Sequence, residues 1–184
     1  MSPPAQIRRL AYADLPQVIA VERRAFPTPW SLAMFVLELS KPSGICLAAW
    51  RREADGTAGP PDGTVDPERL CGYLICSRYA TIWHVMNVSV EPSERRAGLA
   101  TALLESLIER IADPAAQFTL EVRVSNVPAI SLYERFGFIA AGVRRRYYAD
   151  NQEDALIMWR TPMTLEGRLD DVPNAGPVTP SPAK

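Results

Sequence analysis

Residues 88–100 read V-S-V-E-P-S-E-R-R-A-G-L-A: the end of a strand, a short turn holding Arg95, Arg96 and Gly98, and the first residues of an apolar helix. A strand feeding a helix N-terminus presents several backbone N–H groups without intrahelical acceptors, and the helix dipole there favours an anion. Glycine at position 98 lets a phosphate approach the backbone closely. The turn therefore suits a pyrophosphate; an ordinary β–α turn with two solvated arginines fits the same spacing. It has neither the G-x-G-x-x-G of a dinucleotide fold nor the G-K-[ST] of a P-loop.

A second run, F-T-L-E-V-R-V at 118–124, alternates strictly. Leu120, Val122 and Val124 face one way; Thr119, Glu121 and Arg123 face the other. A carboxylate on the polar face of a central strand is either a general base or a solvated side chain. Asn126 follows as the N-cap of a short helix that carries Tyr133 and stops at Gly137. His84 is the only histidine and sits in an apolar strand, where packing or hydrogen bonding is commoner than catalysis. The Arg144-Arg145-Arg146 run suggests nucleic acid at first sight, yet alternation along a strand divides it between two faces.

The elements that must position these residues are legible around them. Residues 6–11 read as a strand and a helix starts near Asp14, with Pro16 tolerated in its first turn. F-P-T-P-W at 26–30 breaks that helix, and Ser31 caps a second one. Residues 44–51 and 70–77 read as paired strands, and 81–90 as a third. Ala97–Ala112 carries Ala100, Leu103, Leu104, Leu107, Ile108 and Ile111 at helical spacing. Two last strands fall near 138–147 and 153–160. The order is mixed α/β, with no internal repeat.

The chain has 184 residues and 17 prolines, and the prolines are unevenly placed. Without residues 1–5, 53–69 and 161–184 the remainder holds 7 prolines, ordinary for a globular body. The expectation is one domain over 6–160, with a flexible N-terminus at 1–5, a flexible loop insert at 53–69 and a disordered tail at 161–184. No candidate for chemistry falls in those attachments, so deleting 165–184 is expected to leave activity nearly intact. The 47 % hydrophobic content excludes wholesale disorder, and a net charge of −1 gives no bulk field for nucleic acid or membrane. Three cysteines without a C-x-x-C signal neither a disulfide framework nor a zinc site. A reduced, cytoplasmic setting fits, with no metal, no signal peptide and no membrane-spanning run.

The Arg95-x-x-Gly98-x-Ala100 turn and the run Asn126, Ala129, Leu132, Tyr133, Gly137, Phe138 together resemble the GNAT acetyltransferases. Ala100 stands where glycine is common in that family. F-P-T-P-W-S at 26–31, L-E-V-R-V-S-N at 120–126 and R-R-R-Y-Y at 144–148 narrow the resemblance to the RimI type, over residues 7–160.

That resemblance implies a twisted, mostly antiparallel sheet, helices on both faces, and a splayed strand pair for the cofactor. It implies acetyl-coenzyme A as co-substrate and the N-terminal alanine of a small-subunit ribosomal protein as acceptor. An α-amine with a pKa near 8 needs only a modest base. Glu121 is the expected base, directly or through water, and Tyr133 the acid that protonates the coenzyme sulfur. Backbone groups of Val88, Ser89 and Val90, the turn Arg95, Arg96, Ala97, Gly98, Leu99 and Ala100, and Asn126 are the expected coenzyme contacts. Phe26, Trp30, His84, Tyr147 and Tyr148 are the expected peptide contacts, in a monomer with no direct nucleic-acid or membrane partner. The same chemistry on a lysine or a small-molecule amine is the alternative, and a coenzyme-binding module without catalysis is the alternative of another class.

Overall fold

A computed structural model describes residues 5–52, 68–176, 178 and 179. Seven strands form one sheet in the order β1-β2-β3-β4-β5-β7-β6. They are β1 (Gln6–Arg9), β2 (Ile45–Arg52), β3 (Glu68–Tyr79), β4 (Ile82–Val90), β5 (Gln117–Arg123), β6 (Ile139–Arg144) and β7 (Ala155–Arg160). The helices are α1 (Leu15–Ala25), α2 (Leu32–Ser40), α3 (Leu99–Ile111) and α4 (Val127–Arg135). The sheet is mostly antiparallel, as the resemblance implies. Most of the expected 53–69 insert lies outside the described residues; Glu68 and Arg69 begin β3. Among the described residues no helix is long and apolar enough to cross a membrane.

The chain divides into two compact units, Met1–Ile75 with Asn87–Arg110, and Cys76–Met86 with Ile111–Lys184. In the first, α1 turns Leu15, Val18 and Val21 onto a core with Phe35, Cys46, Ala48, Trp50, Leu70, Tyr73 and Ile75. Helical spacing on α1 and the continuous apolar runs of β2 and β3 make that packing possible. Ser31 caps α2 as expected, its hydroxyl accepting from the Met34 N–H. Cys46, Cys71 and Cys76 are buried and form no disulfide, so they pack as small apolar side chains.

In the second unit, β4 and β5 run parallel only from Ile82 to His84 against Gln117 to Thr119. The ladder stops there although both strands continue. β7 pairs antiparallel with β5 along its whole length and with β6 on its other side. A register shift between Ala140 and Gly142 puts a bulge in β6.

Among the boundaries that differ from the sequence reading, two have a local cause. α3 starts at Leu99, not Ala97, because Arg96 and Gly98 are left-handed, at φ 69° and 78°. The chain also stays with the second unit beyond residue 160. Val172 is buried against Ala141 and Trp159, and the Thr161 hydroxyl donates to Asp171 Oδ1 at 2.6 Å.

Candidate active site

Val88–Val90 and Arg95–Ala100, expected to bind coenzyme, lie in the first unit, and Asn126 lies in the second. Gly72 of β3 lies so close to β4 that a Cβ there would sit 2.8 Å from the Ser89 carbonyl oxygen. The missing side chain sets the path of Val88–Val90. After β4, the Glu91 N–H donates to the Cys71 carbonyl at 2.8 Å. The Glu91 carboxylate takes a forked pair of bonds from Arg24, at 2.9 Å from Nε and 2.7 Å from Nη2. Glu94 is matched in the same way, by Arg51 at 2.7 Å and by Arg69. Both acidic residues before the turn are thus neutralised by guanidinium groups from α1, β2 and β3. Arg95 and Arg96 stay exposed, so the turn presents positive charge.

The first intrahelical bond of α3 runs from the Ala102 N–H to the Gly98 carbonyl at 3.0 Å. The N–H groups before Ala102 therefore have no acceptor within the helix. Nothing lies within 4 Å of where a Gly98 side chain would point. Left-handed residues at 96 and 98 and an open helix start are a geometry that cradles an anion. A pyrophosphate fits these residues.

Phe26 and Trp30 border the turn between α1 and α2, both half-buried. Trp30 packs on Phe35 with ring centroids 5.4 Å apart. Its N–H donates to the Glu22 carboxylate at 2.8 Å.

The second unit brings four candidates together, Glu121, His84, Tyr147 and Tyr148. Glu121 is on β5, with Arg144 Nη2 of β6 3.2 Å from its carboxylate. His84 lies near enough to feel both charges. Burial holds its imidazole below the ordinary value, Glu121 pulls it up and Arg144 pushes it down. The Tyr79 ring meets His84 edge-on at 5.1 Å. Tyr147 and Tyr148 stack edge to face at 5.1 Å, in a turn rather than in the strand expected through 147. Burial raises both phenols, Tyr148 to about 12, while Arg123 opposes the rise at Tyr148 and Arg144 opposes it at Tyr147.

That turn is fastened to β5 through Arg123. Its guanidinium bonds both Asp150 oxygens at 2.9 Å and Glu153 at 3.1 Å, and lies 3.8 Å from the centre of the Tyr148 ring. The arginine run is therefore divided by partners and by a turn, not by alternation along a strand as expected. Arg144 pairs with Glu121 and Arg145 with Asp154, and Arg146 uses its N–H to bond Asp154. Among the described residues no group of three or more His, Cys, Asp or Glu could hold a metal ion.

Residues 15–138 match the profile of the acetyltransferase (GNAT) family. The chain belongs to that family. It is 36 % identical over 169 residues to a Bacillus subtilis protein provisionally named a [ribosomal protein bS18]-alanine N-acetyltransferase, covering 88 % of this chain and 98 % of the relative. The crystal structure of the ribosomal-protein-S18-alanine N-acetyltransferase from Escherichia coli is 32 % identical, with a TM-score of 0.70, covering 85 % of this chain and 93 % of that one. Arabidopsis thaliana NAA60 in complex with acetyl-CoA shares the fold at 20 % identity and a TM-score of 0.69, covering 85 % of this chain and 99 % of that one. As a GNAT acetyltransferase, the chain is an acyltransferase.

Within this GNAT domain, α4 is held at both ends. Asn126 Oδ1 accepts from the Ala129 N–H at 3.4 Å, the expected cap. At the other end Gly137 is left-handed at φ 81°. The Phe138 N–H bonds the Tyr133 carbonyl and the Gly137 N–H bonds that of Glu134, at 3.1 and 2.9 Å. This is a Schellman stop, and its usual apolar contact is here made by Tyr133 and Phe138, with ring centroids 5.7 Å apart. Tyr133 is buried, which pushes its phenol well above the ordinary value.

The sequence reading missed Glu22, Arg24 and Glu91, and took Arg144 only as part of a charge run and motif, not as a partner of Glu121. Glu22 alone left a signal, since it continues the apolar stripe of Leu15 and Val18 with a charged residue type.

Proposed function

We propose that this chain is an acetyl-coenzyme A-dependent Nα-acetyltransferase acting on the N-terminal alanine of a small-subunit ribosomal protein. The observation that carries the coenzyme assignment is the turn at 95–100, with two left-handed residues, open space at Gly98 and helix-start N–H groups facing an anion's needs. The acceptor assignment rests on relatives of at least 32 % identity that are named for that substrate.

The coenzyme supplies a thioester whose carbonyl carbon is open to an amine. Val88–Val90 offer backbone N–H groups for the pantetheine and the acetyl oxygen, and Arg95–Ala100 hold the pyrophosphate, with Asn126 a further contact. Phe26, Trp30, His84, Tyr147 and Tyr148 receive the peptide. The neutral α-amine forms the new C–N bond as the C–S bond breaks. Its proton passes to Glu121, directly or through water, and the Tyr133 hydroxyl gives a proton to the departing sulfur. A phenol raised by burial stays protonated at neutral pH, as a donor must.

Mass spectrometry of the matching ribosomal protein, from cells with and without this gene, tests the substrate. An acetylated alanine that disappears with the gene is expected; an unchanged N-terminus would overturn the assignment.

A further inference from the structure

Glu22 occupies a core position. It lies on the face of α1 that carries Leu15, Val18 and Val21, and only 1 % of its surface is exposed. A carboxyl group in such a place costs several kcal/mol unless its oxygens are satisfied. Here they are satisfied by uncharged donors from three different elements. The Trp30 N–H reaches Oε1 at 2.8 Å from the α1–α2 turn. The Tyr73 hydroxyl of β3 bonds Oε2. Asn87 Nδ2 of β4 stands 3.4 and 3.5 Å from the two oxygens. Among the described residues no Lys, Arg or His nitrogen comes within 4.0 Å of this carboxylate. Burial, and the neighbouring Glu22, push the Tyr73 phenol far above its ordinary value, so it remains a donor.

An aliphatic side chain of similar size would fill the same space with no polar group to satisfy, so stability does not explain a carboxyl here. What an aliphatic residue cannot do is hold a backbone N–H in a turn. We infer that Glu22 is a positioning residue for the acceptor peptide, fixing the Phe26–Trp30 turn to β3 and β4 through the Trp30 N–H. The inference rests on the assignment of Phe26 and Trp30 as peptide contacts. Asn87 directly precedes Val88–Val90, so the same carboxylate ties the turn to the strand expected to hold the coenzyme.

The test uses the full chain and three variants, Glu22→Ala, Glu22→Gln and Glu22→Asp. The KM values for an alanine-starting peptide and for acetyl-coenzyme A are measured separately, together with Trp30 amide exchange and thermal midpoints. Glu22→Ala should raise peptide KM roughly tenfold, with kcat and coenzyme KM changed less than about threefold. Glu22→Gln keeps an oxygen for the Trp30 N–H and should restore peptide KM to within about threefold of the wild type. Glu22→Asp keeps the charge but not the reach, and should raise peptide KM by about threefold or more even if the alanine variant does not fold. Parallel loss of kcat and both KM values in step with thermal midpoint would make the role merely structural and overturn the inference. So would an unchanged peptide KM in the aspartate variant. Failure of the wild type to acetylate any alanine-starting peptide would sink the function assignment instead. Faster Trp30 exchange in the alanine variant, with neighbouring helix amides unchanged, would still report the carboxylate's hold on the turn, and unchanged Trp30 exchange would overturn it.

Discussion

The Glu121 carboxylate and the Arg144 guanidinium meet at 3.2 Å, although their strands, β5 and β6, are not neighbours. β7 runs between them, pairing Ile157 with Glu121 on one side and with Gly142 on the other. The bulge in β6 makes the meeting possible. Ile139 pairs with Trp159 and Arg144 with Ala155, so residues of opposite parity share one face of the strand. Strict alternation would put Arg145 on that face instead. Arg144 is about half-exposed and Glu121 largely covered, at 53 % and 21 % of their side-chain surfaces.

If Glu121 takes the proton and Arg144 only steadies it, their substitutions separate. Glu121→Gln should lower kcat by roughly 10²-fold or more, the usual scale of a lost general base, with peptide KM little changed. Arg144→Gln should cost less than about tenfold, since the carboxylate remains. Steady-state kinetics at neutral pH decide it, and full activity in Glu121→Gln would remove the residue from the mechanism.

Tyr133 gives a pH prediction. Burial raises its phenol above the ordinary 10, so the hydroxyl is protonated throughout pH 6–9 and lost only above that range. Tyr133→Phe should therefore lower kcat by a factor nearly constant across pH 6–9. An alkaline limb near pH 8 that disappears in the phenylalanine variant would assign that limb to Tyr133 and contradict the protonated-donor role.

Much of this was legible before the structure. The 88–100 turn, the Ser31 and Asn126 caps, the Gly137 stop and the α3 stripe are local signals, set by residues within a few positions of each other. Glu22, Arg24–Glu91 and Glu121–Arg144 are pairings across 8 to 67 residues, which periodicity cannot report. The alternation argument for Arg144–Arg146 failed because β6 ends at Arg144 and the next two arginines lie in a turn. Thr119 was expected on a polar face and is 4 % exposed, its hydroxyl spent on the Met158 carbonyl of β7. Strand composition cannot show which polar faces a neighbour will cover.

Gly72 is a narrow test of the β4 path. Alanine there places a Cβ 2.8 Å from the Ser89 carbonyl, and the obstacle is backbone rather than a flexible side-chain end. Val88–Val90 must shift. Gly72→Ala should raise the KM for acetyl-coenzyme A about tenfold while the peptide KM changes less. Equal binding of coenzyme by variant and wild type in calorimetry would show that these backbone groups do not contact it.

Glu153 ties the Tyr147–Tyr148 turn to acid stability. Partial burial opposes ionisation, but hydrogen bonds from Ser125, Asn151 and Arg123 outweigh it and hold the carboxyl at about 2 against an ordinary 4.5. A depressed folded value means the unfolded chain binds the proton more readily. The stabilisation is complete above about pH 4.5 and is lost as pH falls toward about 2. Thermal midpoints measured down that window should fall in the wild type. In Glu153→Gln they should start lower at neutral pH and fall less steeply; parallel curves would show that the group contributes nothing to acid sensitivity.

The C-terminal segment gives the last prediction, and it reverses the expectation that deleting 165–184 is harmless. The Thr164 hydroxyl donates to the Gly137 carbonyl at 2.8 Å, and a methyl group added at Gly137 would strike Leu165. The segment therefore braces the stop that anchors Tyr133. Further on, Val172 is 8 % exposed beside Ala141 and Trp159, and Asp171 accepts from the Thr161 hydroxyl. Exposing a valine's core site costs about 1.5–3 kcal/mol, and each lost hydrogen bond about 1 kcal/mol more. A chain ending at Gly176 keeps all of these contacts and should unfold within about 2 °C of the full protein. One ending at Met163 should unfold at least about 10 °C lower and lose activity at temperatures where the longer one works. Equal thermal midpoints for the two would mean that residues 164–176 contribute no stability to the unit they pack on.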